Sequence, residues 1–132
     1  MEQRIEISFL EHKSFAREIK KFNKKYDGGG IGYKNLKKLL QKHFHPTDKE
    51  IVLPPSVLKR VGNLGSNIEV YKVIMRVKGL SSGQSPRVCF RVEGILVTFI
   101  CYGSHVDDYR DSRLRELIKK RIKDLDSDIQ FG

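Results

Sequence analysis

The amino-acid sequence predicts a single α+β domain: an N-terminal strand and a helical hairpin packed on a small, mainly antiparallel twisted sheet, followed by a C-terminal helix. Two observations carry this. Apolar residues recur at helical spacing up to Phe44, alternate with period two from Ile68, and return to helical spacing after Asp111. Glycine-rich turn chemistry separates those segments at 28–32, 79–86 and 94. A length of 132 residues suits one domain, 1–132, whose core needs neither disulfides nor a structural metal.

Each element has its own reason. Ile5, Ile7 and Phe9 alternate with Arg4, Glu6 and Ser8, so 1–10 reads as a half-buried strand. Residues 12–45 read as the helical hairpin. Phe15, Ile19, Phe22 and Tyr26 form the stripe of its first helix, and Leu36, Leu39, Leu40 and Phe44 that of its second. Gly28-Gly29-Gly30 is expected to end the first helix with a left-handed cap. Over 45–67, Thr47 to Glu50 reads as a capped helical turn stopped by Pro54-Pro55. Val57, Leu58 and Val61 then read as a second short turn.

Residues 68–103 read as antiparallel strands. Val73, Met75 and Val77 alternate with Lys72, Ile74, Arg76 and Lys78, and Val88, Phe90 and Val92 with Arg87, Cys89 and Arg91. Glu93-Gly94 signals a tight hairpin into Ile95–Tyr102, which is apolar on both faces and therefore a central strand. Leu114, Leu117, Ile118, Ile122 and Leu125 place a last helix at 111–125, with fraying expected after Asp126.

Charge narrows the function. Lys and Arg outnumber Asp and Glu by 26 to 16, a net +10, which favours a polyanionic partner. The excess is concentrated in the first 45 residues, on the outward faces of the predicted hairpin. No apolar run is long enough for a membrane span, and the first residues lack the apolar stretch of a secretory signal. Two cysteines, Cys89 and Cys101, make no disulfide framework, so a reducing cytoplasm is the expected compartment. These features exclude a secreted disulfide scaffold and a membrane protein.

Several motifs have plain structural readings. Gly28 to Gly32 lacks the Gly-Lys-Ser/Thr ending of a phosphate loop and follows a helix, so it reads as a linker. His43 and His45 have no cysteine or spaced carboxylate beside them and read as a surface pair, not metal ligands. Cys89 and Cys101 read as small core residues. Asp107-Asp108 alone make no two-metal site. No metal and no small-molecule cofactor is expected.

The chemically complete set lies on the sheet. Lys72 and Arg76 project from one strand face about 13 Å apart at the usual rise. Arg87 opens the next strand, and His105 and Tyr109 follow the last. Cations, an imidazole and a phenol are what metal-free RNA cleavage requires. The 2′-OH must lose a proton, the phosphorane must be neutralised, and the 5′-oxygen must gain a proton. Histidine titrates near neutrality, and tyrosine serves as a base only where cations lower its pKa.

Residues 69–109 resemble the sheet of the RelE/ParE toxin superfamily. The match lies in Tyr71-Lys72-Val-Ile-Met-Arg76, Pro86-Arg87-Val-Cys-Phe-Arg, and Thr98-Phe-Ile-Cys-Tyr-Gly103-Ser-His105-Val-Asp-Asp-Tyr109. The preceding hairpin fits as well. The resemblance implies the toxin of a type II toxin–antitoxin system, a ribosome-dependent, metal-independent endoribonuclease that cleaves mRNA by 2′-OH attack. It implies that Lys72 positions phosphate or base, that Arg76 and Arg87 contact substrate or transition state, and that His105 and Tyr109 transfer protons or stack. Ile74 stands where RelE itself has a second lysine, and His105 and Tyr109 are not adjacent as in the YoeB-like branch. The implied partners are a cognate antitoxin, the ribosome and mRNA. Lys20, Lys21, Lys24, Lys25, Lys37 and Lys38 are the expected ribosome contacts. The alternatives are a ParE-like, non-enzymatic inhibitor of DNA gyrase and a non-toxic RNA-binding module.

Overall fold

The computed structural model describes residues 6–26, 28–62, 64–65, 67–103 and 111–131. Strand β1 (Ser8–Glu11) leads into helices α1 (Lys13–Lys25) and α2 (Gly29–His43). Strands β2 (Leu58–Arg60), β3 (Val70–Ile74), β4 (Arg87–Glu93) and β5 (Leu96–Gly103) precede helix α3 (Asp111–Phe131). The five strands form one sheet in the order β1-β5-β4-β3-β2. All pairings are antiparallel except β1 with β5, which run parallel. This is the α+β fold expected.

The pleat sends alternate side chains to two cores. On one face, α1 and α2 bury Phe15, Ile19, Phe22, Leu36 and Leu40 against Val73, Val88, Phe90, Val97 and Phe99. Phe99 is the hub, with ring centroids of Phe15, Tyr33 and Phe9 at 5.3, 5.2 and 5.7 Å. On the other face, α3 lays Leu114, Ile118 and Ile122 over Val70, Cys89, Ile100 and Cys101. Ile118 is fully buried, whereas Leu117 packs only partly at this core's margin. Facing Cys89 is Cys101 and facing Phe90 is Phe99, so Ile100 is an extra residue on β5. This bulge lets Ile100 and Cys101 in succession join the same core. The Ile100 carbonyl accepts a 2.8 Å hydrogen bond from Arg121 Nη1, which also meets Glu18 at 2.7 Å. The bridge thus ties α3 to the sheet and to α1.

Several expectations are corrected. The first strand is shorter than 1–10 and shifted toward α1, and Arg4 and Ile5 lie outside the described residues. Thr47 to Glu50 makes bends and no helical turn, since the Glu50 amide bonds back to the Lys42 carbonyl at 3.0 Å. The segment 58–60 is an edge strand and not a helical turn, because its backbone completes the open edge of β3. The triple glycine does not cap α1 in the left-handed region. The first helix ends at Lys25, Gly28 has φ −77°, and α2 starts at Gly29. Glycine is needed instead at Gly32, where a Cβ would lie 2.8 Å from the Arg76 carbonyl oxygen. Finally, α3 continues past Asp126 to Phe131. Gly94, at φ 61°, makes the β4–β5 turn as expected. No helix among the described residues is long and apolar enough to cross a membrane.

Candidate nucleic-acid interface on the second sheet face

Lys72 sits on β3 between Val70 and Ile74, on the face covered by α3. Its antiparallel neighbours across the ladder are Cys89 on β4 and Lys59 on β2. Cross-strand partners share a face, so two lysines stand directly opposite each other, a like-charge pairing that ordinarily destabilises. Arg87 opens β4 opposite Ile74. Lys59, Lys72 and Arg87, with Ser56, Val57 and Ile74, line a hollow of about 240 Å³. A second hollow of about 270 Å³ adjoins it, lined by Lys59, Arg60, Lys72, Val61, Leu114 and Arg115. Lys59 and Lys72 form the wall common to both.

The Arg87 guanidinium is fixed before any ligand arrives. Its Nη1 donates to the carbonyls of Ser82 at 2.7 Å and Ser85 at 2.6 Å, both in the 79–86 loop. Nε and Nη2 keep their donors for an anion. Burial lowers its pKa from the ordinary value, although a guanidinium remains charged at neutral pH.

Cations on this sheet face fall into two groups. Toward α1 and the end of α3, Arg91 meets Asp126 at 3.1 Å and Glu93 at 3.4 Å, and Arg121 meets Glu18. Toward β2, no carboxylate among the described residues lines either hollow, and Lys59, Lys72, Arg87 and Arg115 form no ion pair with a described residue. Among the described residues, one end of the face is neutralised internally and the other is lined by cations alone.

The expected site residues therefore divide. Lys72 and Arg87 come together. Arg76, expected on the same strand face as Lys72, lies beyond the end of β3 because the ladder with β4 stops at Ile74. It is exposed and lines the next groove along, an apolar one formed with Gly32, Leu36, Leu39, Leu53 and Pro54. The hollows on either side of Ile74 share Val57 and Ile74. His105 and Tyr109 lie outside the described residues, as do Asp107 and Asp108. Gly103, the last described residue before them, is the cross-strand partner of Arg87. Tyr71 is no substitute phenol: it faces the α2 side, bonds Glu69, and has its pKa raised to about 12 by burial and that carboxylate.

The basic hairpin lies on the opposite face of the sheet. Lys20, Lys21 and Lys24 are exposed with Arg17 along α1, and Lys25 and Lys38 are exposed as well. Lys37 is half-buried, with its ammonium 4.3 Å from the Tyr33 ring centroid and 6.0 Å from that of Phe9, a cation–π arrangement. Sequence reasoning missed Lys59, Arg60 and Arg115. Each sits in a segment whose partner is distant in the chain, and Lys-Arg in an irregular stretch carries no strand signal by itself.

The histidine and cysteine readings resolve locally. His43 is buried and not half of a surface pair, because the returning chain at Leu53 folds over it. Its Nδ1 accepts the Leu53 amide at 3.3 Å, and burial followed by the Lys49 charge lowers its pKa. His45 Nδ1 accepts the amides of Thr47 and Asp48. Cys89 and Cys101 are buried free thiols, and burial raises the Cys101 pKa to about 12 and that of Cys89 well above its ordinary value. Neither is a nucleophile at neutral pH. No cluster of three metal-ligating side chains occurs among the described residues.

No protein-family model, curated protein or solved structure matches the chain.

Proposed function

We propose that the chain is a metal-independent endoribonuclease of the RelE-like toxin type, acting on mRNA at the ribosome in the cytoplasm and restrained by an acidic antitoxin. The observation that carries this reading is the cluster of Lys59, Lys72 and Arg87, whose hollow no carboxylate among the described residues lines, beside Arg91 and Arg121, which are paired with described carboxylates. Two lysines directly opposite on paired strands cost stability, which an anion between them offsets. A phosphodiester does so, and its charge rises as the 2′-oxygen adds to phosphorus. The Arg87 fork, already oriented by two carbonyls, meets that added charge without reorganising. Proton transfer falls to His105 and Tyr109 in this reading, the imidazole and phenol that follow β5 in the sequence. The exposed lysines of α1 supply a separate surface for ribosomal phosphates.

The test is induced expression followed by mapping of mRNA 5′ ends, beside single-turnover cleavage of ribosome-bound message. Codon-phased cuts are expected. Arg87→Ala should slow cleavage roughly 10²–10³-fold, the cost of forfeiting about 3–4 kcal/mol of transition-state stabilisation. Ribosome pelleting should change little, since that binding is spread over many phosphates. Intact messages accompanied by gyrase-dependent DNA breaks would instead establish the non-enzymatic alternative. Cutting by Arg87→Ala at the wild-type rate removes Arg87 from the chemistry.

A further inference from the structure

Beyond the Lys72–Arg87 hollow, we infer that the adjoining hollow between β2, β3 and the first turns of α3 is a second anion subsite. It would hold the sugar-phosphate backbone of single-stranded RNA at least one phosphate away from Arg87. This inference rests on the RNA reading above and specifies how much of the strand is held. Three observations support it. Lys59 and Lys72 are the wall common to both hollows, so the positive surface runs without a break from Arg87 to Arg115. Arg115 comes from a different element and meets the lysine pair in the hollow that Arg87 does not line. Charge brought together from β2, β3, β4 and α3, with no carboxylate from any described residue, exceeds what one phosphate neutralises.

The occupant is also constrained by what the trough lacks. An acidic protein segment that orders on binding needs apolar surface to offset its lost entropy. Among the described residues, the exposed large apolar side chains are Leu10, Ile31, Leu39, Ile51 and Ile95, and none of them lines either hollow. A single-stranded backbone needs only spaced cations, with Val61 and Leu114 offering limited apolar contact to a sugar or base.

The test uses full-length protein and 2′-O-methyl oligoribonucleotides, which bind but lack the attacking hydroxyl. Fluorescence anisotropy is recorded against salt for a dinucleotide with one phosphodiester and for a hexanucleotide with five. The wild type should show the steeper salt dependence with the hexanucleotide. Arg60→Gln with Arg115→Gln, both lining only the second hollow, should weaken hexanucleotide binding at least about tenfold at low salt. It should also lower the logarithmic slope by about 0.7 for each phosphate no longer neutralised. Dinucleotide binding should stay within about twofold. Lys34→Gln with Lys42→Gln, exposed on α2 across the sheet, removes the same charge and should leave the slope intact. An unchanged hexanucleotide slope in the Arg60/Arg115 variant overturns the subsite, as does an equal fall in the α2 control. Displacement of the hexanucleotide by a glutamate-rich peptide of equal charge and equal potency also overturns it, in favour of an acidic protein. If the slope falls as stated while wild-type protein cuts no message, the subsite stands and the nuclease reading fails. If messages are cut but the slope does not move, only the subsite fails.

Discussion

Arg87 and His43 show at the residue scale how one side chain is either readied for a ligand or used up by the fold. The guanidinium of Arg87 spends one nitrogen on Ser82 and Ser85 and keeps the rest. The imidazole of His43 spends its Nδ1 lone pair on Leu53, while burial and Lys49 disfavour its charged form. That commitment has a pH consequence. The folded-state pKa of His43 lies below its ordinary value of 6.5, so the unfolded chain takes up the proton first as pH falls. The stability this contributes is complete above about pH 6.5 and is lost on acidification toward the folded-state value. Urea midpoints for the wild type should therefore drop between pH 7.5 and pH 5.5. The drop should be smaller in His43→Gln, whose amide oxygen can still accept the Leu53 N–H. Equal drops in both proteins would clear His43 of any part in the acid sensitivity.

Glycines in α2 separate two roles at the element scale. Gly30 is exposed in the first turn, and a Cβ there would meet nothing within 4 Å. Gly32, two residues on, is buried where α2 crosses the strand extension after β3, with the Arg76 carbonyl oxygen 2.8 Å from an added Cβ and Val77 Cγ2 at 3.3 Å. Gly30→Ala should stabilise by about 0.4–1 kcal/mol, by restricting the unfolded chain and improving helix propensity. Gly32→Ala should destabilise by about 1–3 kcal/mol, because backbone must move to admit the methyl group. Denaturant titration of the two variants reads the contrast directly. If Gly32→Ala is neutral, α2 does not sit this close to the strand. The edges of the sheet are managed in a related way. Just before β1, the Gln41 side chain from α2 accepts from the Ile7 amide at 2.9 Å and donates to its carbonyl at 2.7 Å, occupying backbone groups that would otherwise invite another strand.

Across the whole molecule, basic side chains gather on two surfaces with the sheet between them. The α1 surface is exposed, suited to many weak phosphate contacts. The trough by β2 and α3 is walled by paired strands. The proposed reading, an enzyme that docks on a large RNA assembly and cuts a separate strand, calls for such a division. Replacing Lys20, Lys21, Lys24 and Lys25 together should weaken ribosome binding in a pelleting assay. Its salt dependence should flatten by about 0.7–0.9 for each phosphate no longer neutralised. A salt slope equal to that of the wild type would place the ribosome contact on another face.

Residue pattern by itself determined the two amphipathic helices of the hairpin, the alternation of β3 and β4, the doubly apolar β5 and the stripe of α3. Each is a periodicity contained within one segment, set by 3.6 residues per helical turn or two per pleat. The same alternation put Lys72 and Arg87 on strands, where they are found together. Pairing decided the rest. That β1 lies parallel to β5, that 58–60 is a strand, and that Lys59 stands opposite Lys72 depend on which distant backbones share a ladder. Likewise, the bulge at Ile100 depends on the register of β5 against β4, and the quenching of Arg91 and Arg121 on where α3 comes to rest. A segment's own composition shows that it is basic. Only the tertiary structure decides whether a carboxylate from elsewhere in the chain neutralises it, because that partner is chosen by packing across the sheet and not by proximity in sequence.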